Sequence, residues 1–145
     1  MSPESLFALA NPLALLGWLA LALSPLAPRL ADLVAGLVLP LLLSVAYGAL
    51  ILAFWTSAPG GFGSLAEVQA LFTDPGIALA GWLHYLAFDL FIGAWETRRA
   101  RAEAIPHLLL LPCLALTFLF GPIGLLAFTA LRATRRATTQ TGVAP

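Results

Sequence analysis

From residue 33 to residue 55 the chain reads LVAGLVLPLLLSVAYGALILAFW, with no charged side chain anywhere in the run. A helix needs about 20 mostly apolar residues to cross a bilayer. Only structures that satisfy their own backbone hydrogen bonds survive there. The run is therefore predicted to be a transmembrane helix, with Trp55 as an interfacial anchor. The rest of the chain agrees. Of 145 residues, 61% are hydrophobic and 10% charged, whereas soluble domains carry about 25% charged residues. No water-facing surface can be assembled from that stock. The predicted class is an all-α integral membrane protein, a single transmembrane domain over residues 1–145.

Three further apolar runs, 6–23, 77–95 and 106–131, complete a predicted four-helix bundle. Asn11 and Pro12 interrupt the first run, and Pro25 and Pro28 close it. Arg29 and Asp32 mark a short polar turn before the second. Residues 57–76 are rich in glycine and proline. Within them Ser64 and Glu67 are spaced as a capping box, and Leu65, Val68, Leu71 and Phe72 share one helical face. A short interfacial helix between spans 2 and 3 is expected there. Residues 138–145 read as a disordered tail.

Seven arginines balance seven acidic residues. They form short clusters at helix ends, with nothing resembling a nucleic-acid footprint. The single cysteine, Cys113, excludes an intramolecular disulfide and a multi-cysteine metal site. Four spans would put both termini on one side, and the positive-inside rule then gives a near tie. Arg132, Arg135 and Arg136 stand against Arg29, Arg98, Arg99 and Arg101. The start MSPESLFALANPL has an acidic residue and no basic one before its apolar run, which fits neither a secretory signal nor a transit peptide. The Ala/Leu/Arg-rich, lysine-free style points to a bacterial cytoplasmic membrane.

The third run, GWLHYLAFDLFIGAWETRR over residues 81–99, holds two carboxylates. A charge at the centre of a membrane helix costs at least about 2.5–3.5 kcal/mol on insertion scales, which makes such a residue a functional candidate. At 100° per residue, Trp82, Tyr85, Asp89, Ile92 and Glu96 fall in one stripe. Tyr85 and Asp89 are within reach of a phenol–carboxylate hydrogen bond. Asp89 and Glu96 lie about 10 Å apart along the axis. A second stripe holds His84, Phe88, Phe91 and Trp95.

Together the stripes make a wall for a long conjugated or isoprenoid ligand whose polar end group meets the acids. Asp89, His84 and Glu96 are the candidate proton donors and acceptors. Trp82, Tyr85, Phe88, Phe91 and Trp95 are candidate ligand contacts. Blander roles compete. Aromatic stripes in membranes often serve packing, Glu96 with Arg99 makes an interfacial ion pair, and His84 can hold a neighbouring helix. The bland role is weakest for Asp89. His84 sits about 140° from Asp89 around the helix, poor geometry for one ion, so neither a metal nor another cofactor is expected.

The fourth run is interrupted by Pro106, Pro112 and Pro122. Pro112 leaves the Leu108 carbonyl without its helical donor, and Gly121-Pro122 followed by Gly124 should bend or break the helix. Freed backbone groups at membrane depth are tolerated only against protein or a wet cavity. Gly121 and Pro122 are therefore expected inside the bundle, opposite the acidic stripe. Ser44, Tyr47 and Gly48 form a small polar face on the second helix and are further candidates for the pocket, with Asn11 from the first. His107 is placed to anchor a helix end.

The blocks WLHYLAFDLFIGAWE and IPHLLLLPCLALTFLFGPIGLL resemble the abscisic-acid-deficient-4-like membrane family, most strongly over residues 76–132. The matching positions are Trp82, His84, Asp89, Gly93, Pro106, Pro112, Gly121, Pro122 and Gly124. Plant members of that family are needed to make neoxanthin from violaxanthin. The resemblance implies a four-span protein that acts on, or binds, a carotenoid-like isoprenoid. Two functions of different class follow. One is a cofactor-independent intramembrane isomerase of an oxygenated carotenoid or related isoprenoid, with Asp89 as acid and Glu96 or His84 as base. The other is a non-catalytic carotenoid- or retinoid-binding protein that presents its ligand to another enzyme. The expected partners are the lipid bilayer and the long apolar ligand, without nucleic acid, and a homo-oligomer stays open.

Overall fold

Three helices are long and apolar enough to cross a membrane in the computed structural model, which describes residues 2–141 and side chains through Ala137. The first is α1 (Pro3–Ala22). The second begins as α2 (Pro28–Leu33), passes through a π-helical turn at Val34–Val38 and continues as α3 (Leu39–Phe54). Pro40 accounts for the wide turn. It has no N–H to give the Gly36 carbonyl and would clash with it in a regular helix. The Leu39 amide instead bonds five residues back, to Val34.

The short α4 (Leu65–Leu71) follows, with the Ser64 hydroxyl accepting from the Glu67 amide at 3.2 Å. The third long helix is α5 (Pro75–Ala102). Asp74 caps it by accepting from the Gly76 and Ile77 amides, and Pro75 sits at the first helical position, where its missing N–H does no harm.

The centre of the molecule is α5. Half of its apolar window is buried, against 28% and 22% for the other two long helices. Its first half packs Leu83, Leu86 and Ala87 on Ala10, Ala14, Leu43 and Leu50, and its second half packs Leu90 and Ala94 on Trp18, Leu21 and Leu39. Small residues let α1 approach it closely. A Cβ at Gly93 would lie 2.6 Å from the Trp18 ring, and one at Gly17 2.6 Å from Leu90. The outer faces are apolar and open, with Leu52 87% exposed, as a lipid-facing surface requires.

The expected fourth span over 106–131 is corrected, and the four-helix bundle with it. In place of one crossing helix the chain forms α6 (His107–Phe120) and α7 (Pro122–Thr141), which run antiparallel as a hairpin. At 14 residues α6 is about 21 Å long, short of the roughly 30 Å hydrocarbon core. Gly121, at φ +47°, turns the chain back. In one straight helix Glu103 and Arg132 would stand about 43 Å apart. Here Arg132 donates to Glu103 through Nε at 2.8 Å and Nη2 at 2.5 Å. Phe128 and Leu131 of α7 return to pack on Leu110, Cys113 and Leu114 of α6. The proline and glycines marked a break, and tertiary packing made that break a reversal. The tail expected from residue 138 continues α7 to Thr141, and residues 142–145 lie outside the described residues.

The open end of the hairpin is latched at Glu103. Arg99 lies 2.7 Å from its carboxylate and Arg136 donates to it at 2.8 Å, alongside Arg132. The Arg132 hydrogen bonds, then those of Arg136, hold the Glu103 carboxyl down at about 2 from an ordinary 4.5. A depressed carboxyl contributes stability that is complete above its unfolded value and disappears as pH falls through its folded one. The gap in thermal midpoint between the wild type and Glu103→Gln in detergent is thus expected to be full above 4.5 and to close towards pH 2. A gap that stays constant over that range would count against the latch. On the inner side, His107 Nε2 donates to the Ala22 carbonyl at 2.8 Å, tying the start of α6 to the end of α1.

Candidate functional site

The acidic stripe of α5 meets the hairpin along its length. Near the N-terminal end, Trp82 Nε1 donates to Asn11 Oδ1 at 2.9 Å, and the Trp82 and Tyr85 rings stack at 5.3 Å. One turn further, the Tyr85 hydroxyl donates to the Phe118 carbonyl at 2.9 Å. That carbonyl is the one whose helical donor would be residue 122. Because residue 122 is proline and has no N–H, Tyr85 takes over the vacant bond. Tyr85→Phe removes it and leaves a carbonyl unsatisfied, at an expected cost of about 1 kcal/mol. The check is a lower thermal midpoint in detergent, and an unchanged midpoint would show that the carbonyl needs no partner from α5.

Asp89 sits at the tip of the hairpin. A Cβ at Gly121 would lie 2.8 Å from its Oδ1, so only glycine lets the turn approach the carboxylate so closely. Its other oxygen, Oδ2, is buried and has no hydrogen-bond partner among the described residues. Two turns further along α5, Glu96 is completely buried. The Thr117 hydroxyl lies 3.1 and 3.0 Å from its two oxygens and 3.0 Å from the Cys113 carbonyl. Thr117 in turn is where α7 comes closest: a Cβ at Gly124 would lie 2.0 Å from its Oγ1 and 2.2 Å from its amide nitrogen. Asp89 thus faces the backbone of the Gly121 turn, and Glu96 faces the Thr117 hydroxyl of α6.

Beside this ladder a cleft of about 450 Å³ opens between α1, α5 and α6, lined by Asn11, Leu15, Trp82, Tyr85, Phe118 and Leu119. It is mostly apolar, with polar groups from Asn11, Trp82 and Tyr85 at its wall.

The other residues singled out from the sequence stand elsewhere. His84 stacks on Phe88 at 4.6 Å and meets Tyr47 edge-on at 5.7 Å, against α3. Ser44, Phe88 and Phe91 line a separate groove with Pro40, and the Ser44 hydroxyl donates to the Pro40 carbonyl within its own helix. Trp95 packs edge-on against Phe128 of α7, with the Arg132 guanidinium 5.9 Å from its ring. The structure therefore brings Trp82, Tyr85, Asp89, Glu96 and Gly121 together at the hairpin, whereas Pro122, expected inside the bundle, is exposed on the outer side of the turn. The structure leaves His84, Tyr47, Ser44, Phe88 and Phe91 on the side of α3.

The sequence model for proteins described as ABA DEFICIENT 4-like matches residues 5–128, most of the chain. The chain belongs to the ABA DEFICIENT 4-like family. Neither the curated proteins nor the solved structures compared with it gave a match. The match takes in α1, α3, α5, α6 and the hairpin turn of this ABA DEFICIENT 4-like protein. It ends at Phe128, before Arg132, Arg135 and Arg136. One site residue escaped sequence reasoning. Thr117 is the lone hydroxyl in the run from Leu108 to Phe120, and an isolated polar side chain in so apolar a run was the signal that it would meet a buried group.

Proposed function

We propose that this ABA DEFICIENT 4-like protein is a membrane-embedded isomerase of an oxygenated carotenoid or a related isoprenoid, working without a cofactor in a bacterial cytoplasmic membrane. The observation that carries the reading is the Asp89 carboxylate at the tip of a broken hairpin, one buried oxygen of which makes no hydrogen bond among the described residues. An epoxide opens to an allene when an acid protonates the epoxide oxygen and a base removes a vinylic proton, so atoms and electrons balance without an oxidant. Asp89 is the acid in this scheme. Glu96 shares its stripe and is the better-placed base, whereas His84 points to α3. The ligand's polyene would lie along the cleft between α1 and α5, one transmembrane unit holding the whole site, with α4 resting on the membrane interface.

One observation favours the alternative, a carotenoid- or retinoid-binding protein that presents its ligand to another enzyme. Glu96 is fully buried and already hydrogen-bonded by Thr117, which leaves Asp89 as the group with an open valence. Incubating the purified protein with an epoxidised carotenoid separates the two. Conversion to an allenic product supports the isomerase. Bound pigment recovered unchanged supports the binder, and no pigment retained at all removes both.

A further inference from the structure

The reversal at Gly121 rearranges the charges of the whole molecule. Arg29 and Asp32 lie just after the α1–α2 turn, and Arg98, Arg99 and Arg101 lie at the C-terminal end of α5. Those two places are one end of the molecule, because Arg101 pairs with Asp32 and His107 reaches the end of α1. A fourth crossing would have carried Arg132, Arg135 and Arg136 to the opposite end. The hairpin returns them instead, as the contacts of Arg132 and Arg136 with Glu103 require.

All seven arginines of the chain therefore share one end with only two carboxylates, Asp32 and Glu103, a net charge of +5. The opposite end carries Glu4, Glu67 and Asp74 and no basic side chain, a net side-chain charge of −3. The near tie of a four-span reading becomes a complete separation. Many of these arginines also keep solvent-facing surface beyond their ion pairs: the Arg136 side chain is 60% exposed and that of Arg99 44%.

We infer that the arginine-rich end is the cytoplasmic face of the protein, seated on the anionic phospholipid headgroups of that leaflet, with α6 and α7 entering and leaving the membrane from that side. Lysine and arginine in short loops are retained on the cytoplasmic side, and the anionic inner leaflet attracts juxtamembrane cations. Charge complementarity selects the occupant: an end with this excess of guanidinium groups fits phosphate, and the acidic end does not. The hairpin turn then reaches the level of Asp89, midway along α5, from the cytoplasmic side. Any proton exchanged with that carboxylate along the hairpin comes from the same compartment.

The inference rests on the chain residing in a bacterial cytoplasmic membrane, and its test reads no pigment chemistry, so the two can fail separately. Carbonate extraction of a bacterial host first establishes membrane residence, and a protein washed off the membrane overturns the location. Two full-length variants, Thr56→Cys and Thr134→Cys, are then made in a Cys113→Ala background, both positions being exposed. A membrane-impermeant maleimide added to intact cells is expected to label the Thr56→Cys protein, and the Thr134→Cys protein only after permeabilisation. Labelling of both from the same side overturns the hairpin, and the reverse pattern overturns the orientation.

For the headgroups, the purified protein is moved from phosphatidylcholine vesicles to vesicles containing phosphatidylglycerol. Its thermal midpoint is expected to rise, and the triple change Arg29→Gln, Arg135→Gln and Arg136→Gln is expected to reduce that rise. Inorganic phosphate alone is expected to leave the midpoint unchanged. No rise with phosphatidylglycerol, or an equal rise in the triple variant, overturns the docking.

Discussion

Gly124→Ala is expected to keep the α6–α7 hairpin from closing. The added methyl would stand 2.0 Å from Thr117 Oγ1, 2.2 Å from its amide nitrogen and 2.4 Å from its Cα. A flexible side-chain tip can swing away from such a contact, but two of these atoms are backbone in the last turn of α6. The helices can accept a methyl there only by moving apart, which uncouples Phe128 from Leu110 and Leu114 and draws Thr117 away from Glu96. Overpacking a well-filled core costs typically about 1–3 kcal/mol and sometimes more. With the hairpin's own packing lost as well, the effect belongs at or above the top of that range. Thermal unfolding in detergent reads it directly. Gly48→Ala is the matched control, because a Cβ there meets nothing within 4 Å. It is expected to leave stability unchanged or raised by up to about 1 kcal/mol through helix propensity. Equal midpoints for the two variants would contradict the close approach at Thr117.

The second large effect is on chemistry. Under the isomerase reading, Asp89→Asn removes the proton donor while keeping the shape that lies against Gly121. General acid–base catalysis contributes typically about 10²–10⁴-fold, and conversion of an epoxidised carotenoid is expected to fall by that factor. Pigment occupancy should stay near that of the wild type, since the amide fills the same volume and the cleft walls at Trp82 and Tyr85 are untouched. Loss of conversion with retained pigment separates a chemical role from a structural one. Full conversion by the variant would remove Asp89 from the mechanism and pass the acid's part to another group.

Much of this arrangement was legible beforehand because membranes impose strong rules on short segments. The three long helices, the cap at Ser64 and the shared stripe of Tyr85, Asp89 and Glu96 all depend on residues close together in the chain, and periodicity reports those well. The Gly121-Pro122 break was also legible, and Gly121 does face Asp89. The hairpin was not legible. A run of 26 residues from 106 to 131 satisfies every length criterion for a span. Whether a glycine–proline break bends a helix or reverses it depends on what waits on either side. Here Thr117 and Gly124 allow two backbones to touch, and Glu103 rewards the return of Arg132 and Arg136.

The division is therefore physical. Sequence alone determined that the chain lives in a membrane as helices, because composition and hydrogen-bond satisfaction leave no other solution. It also determined which carboxylates stand on one face of α5, because helical geometry is local. Tertiary structure alone decided that the last apolar run turns back, that Tyr85 completes the Phe118 carbonyl and that Thr117 holds Glu96. The same reversal set all seven arginines at one end. Apart from the close approach of Thr117 and Gly124, those outcomes depend on contacts between residues 21 to 85 positions apart, and no local pattern encodes such a meeting.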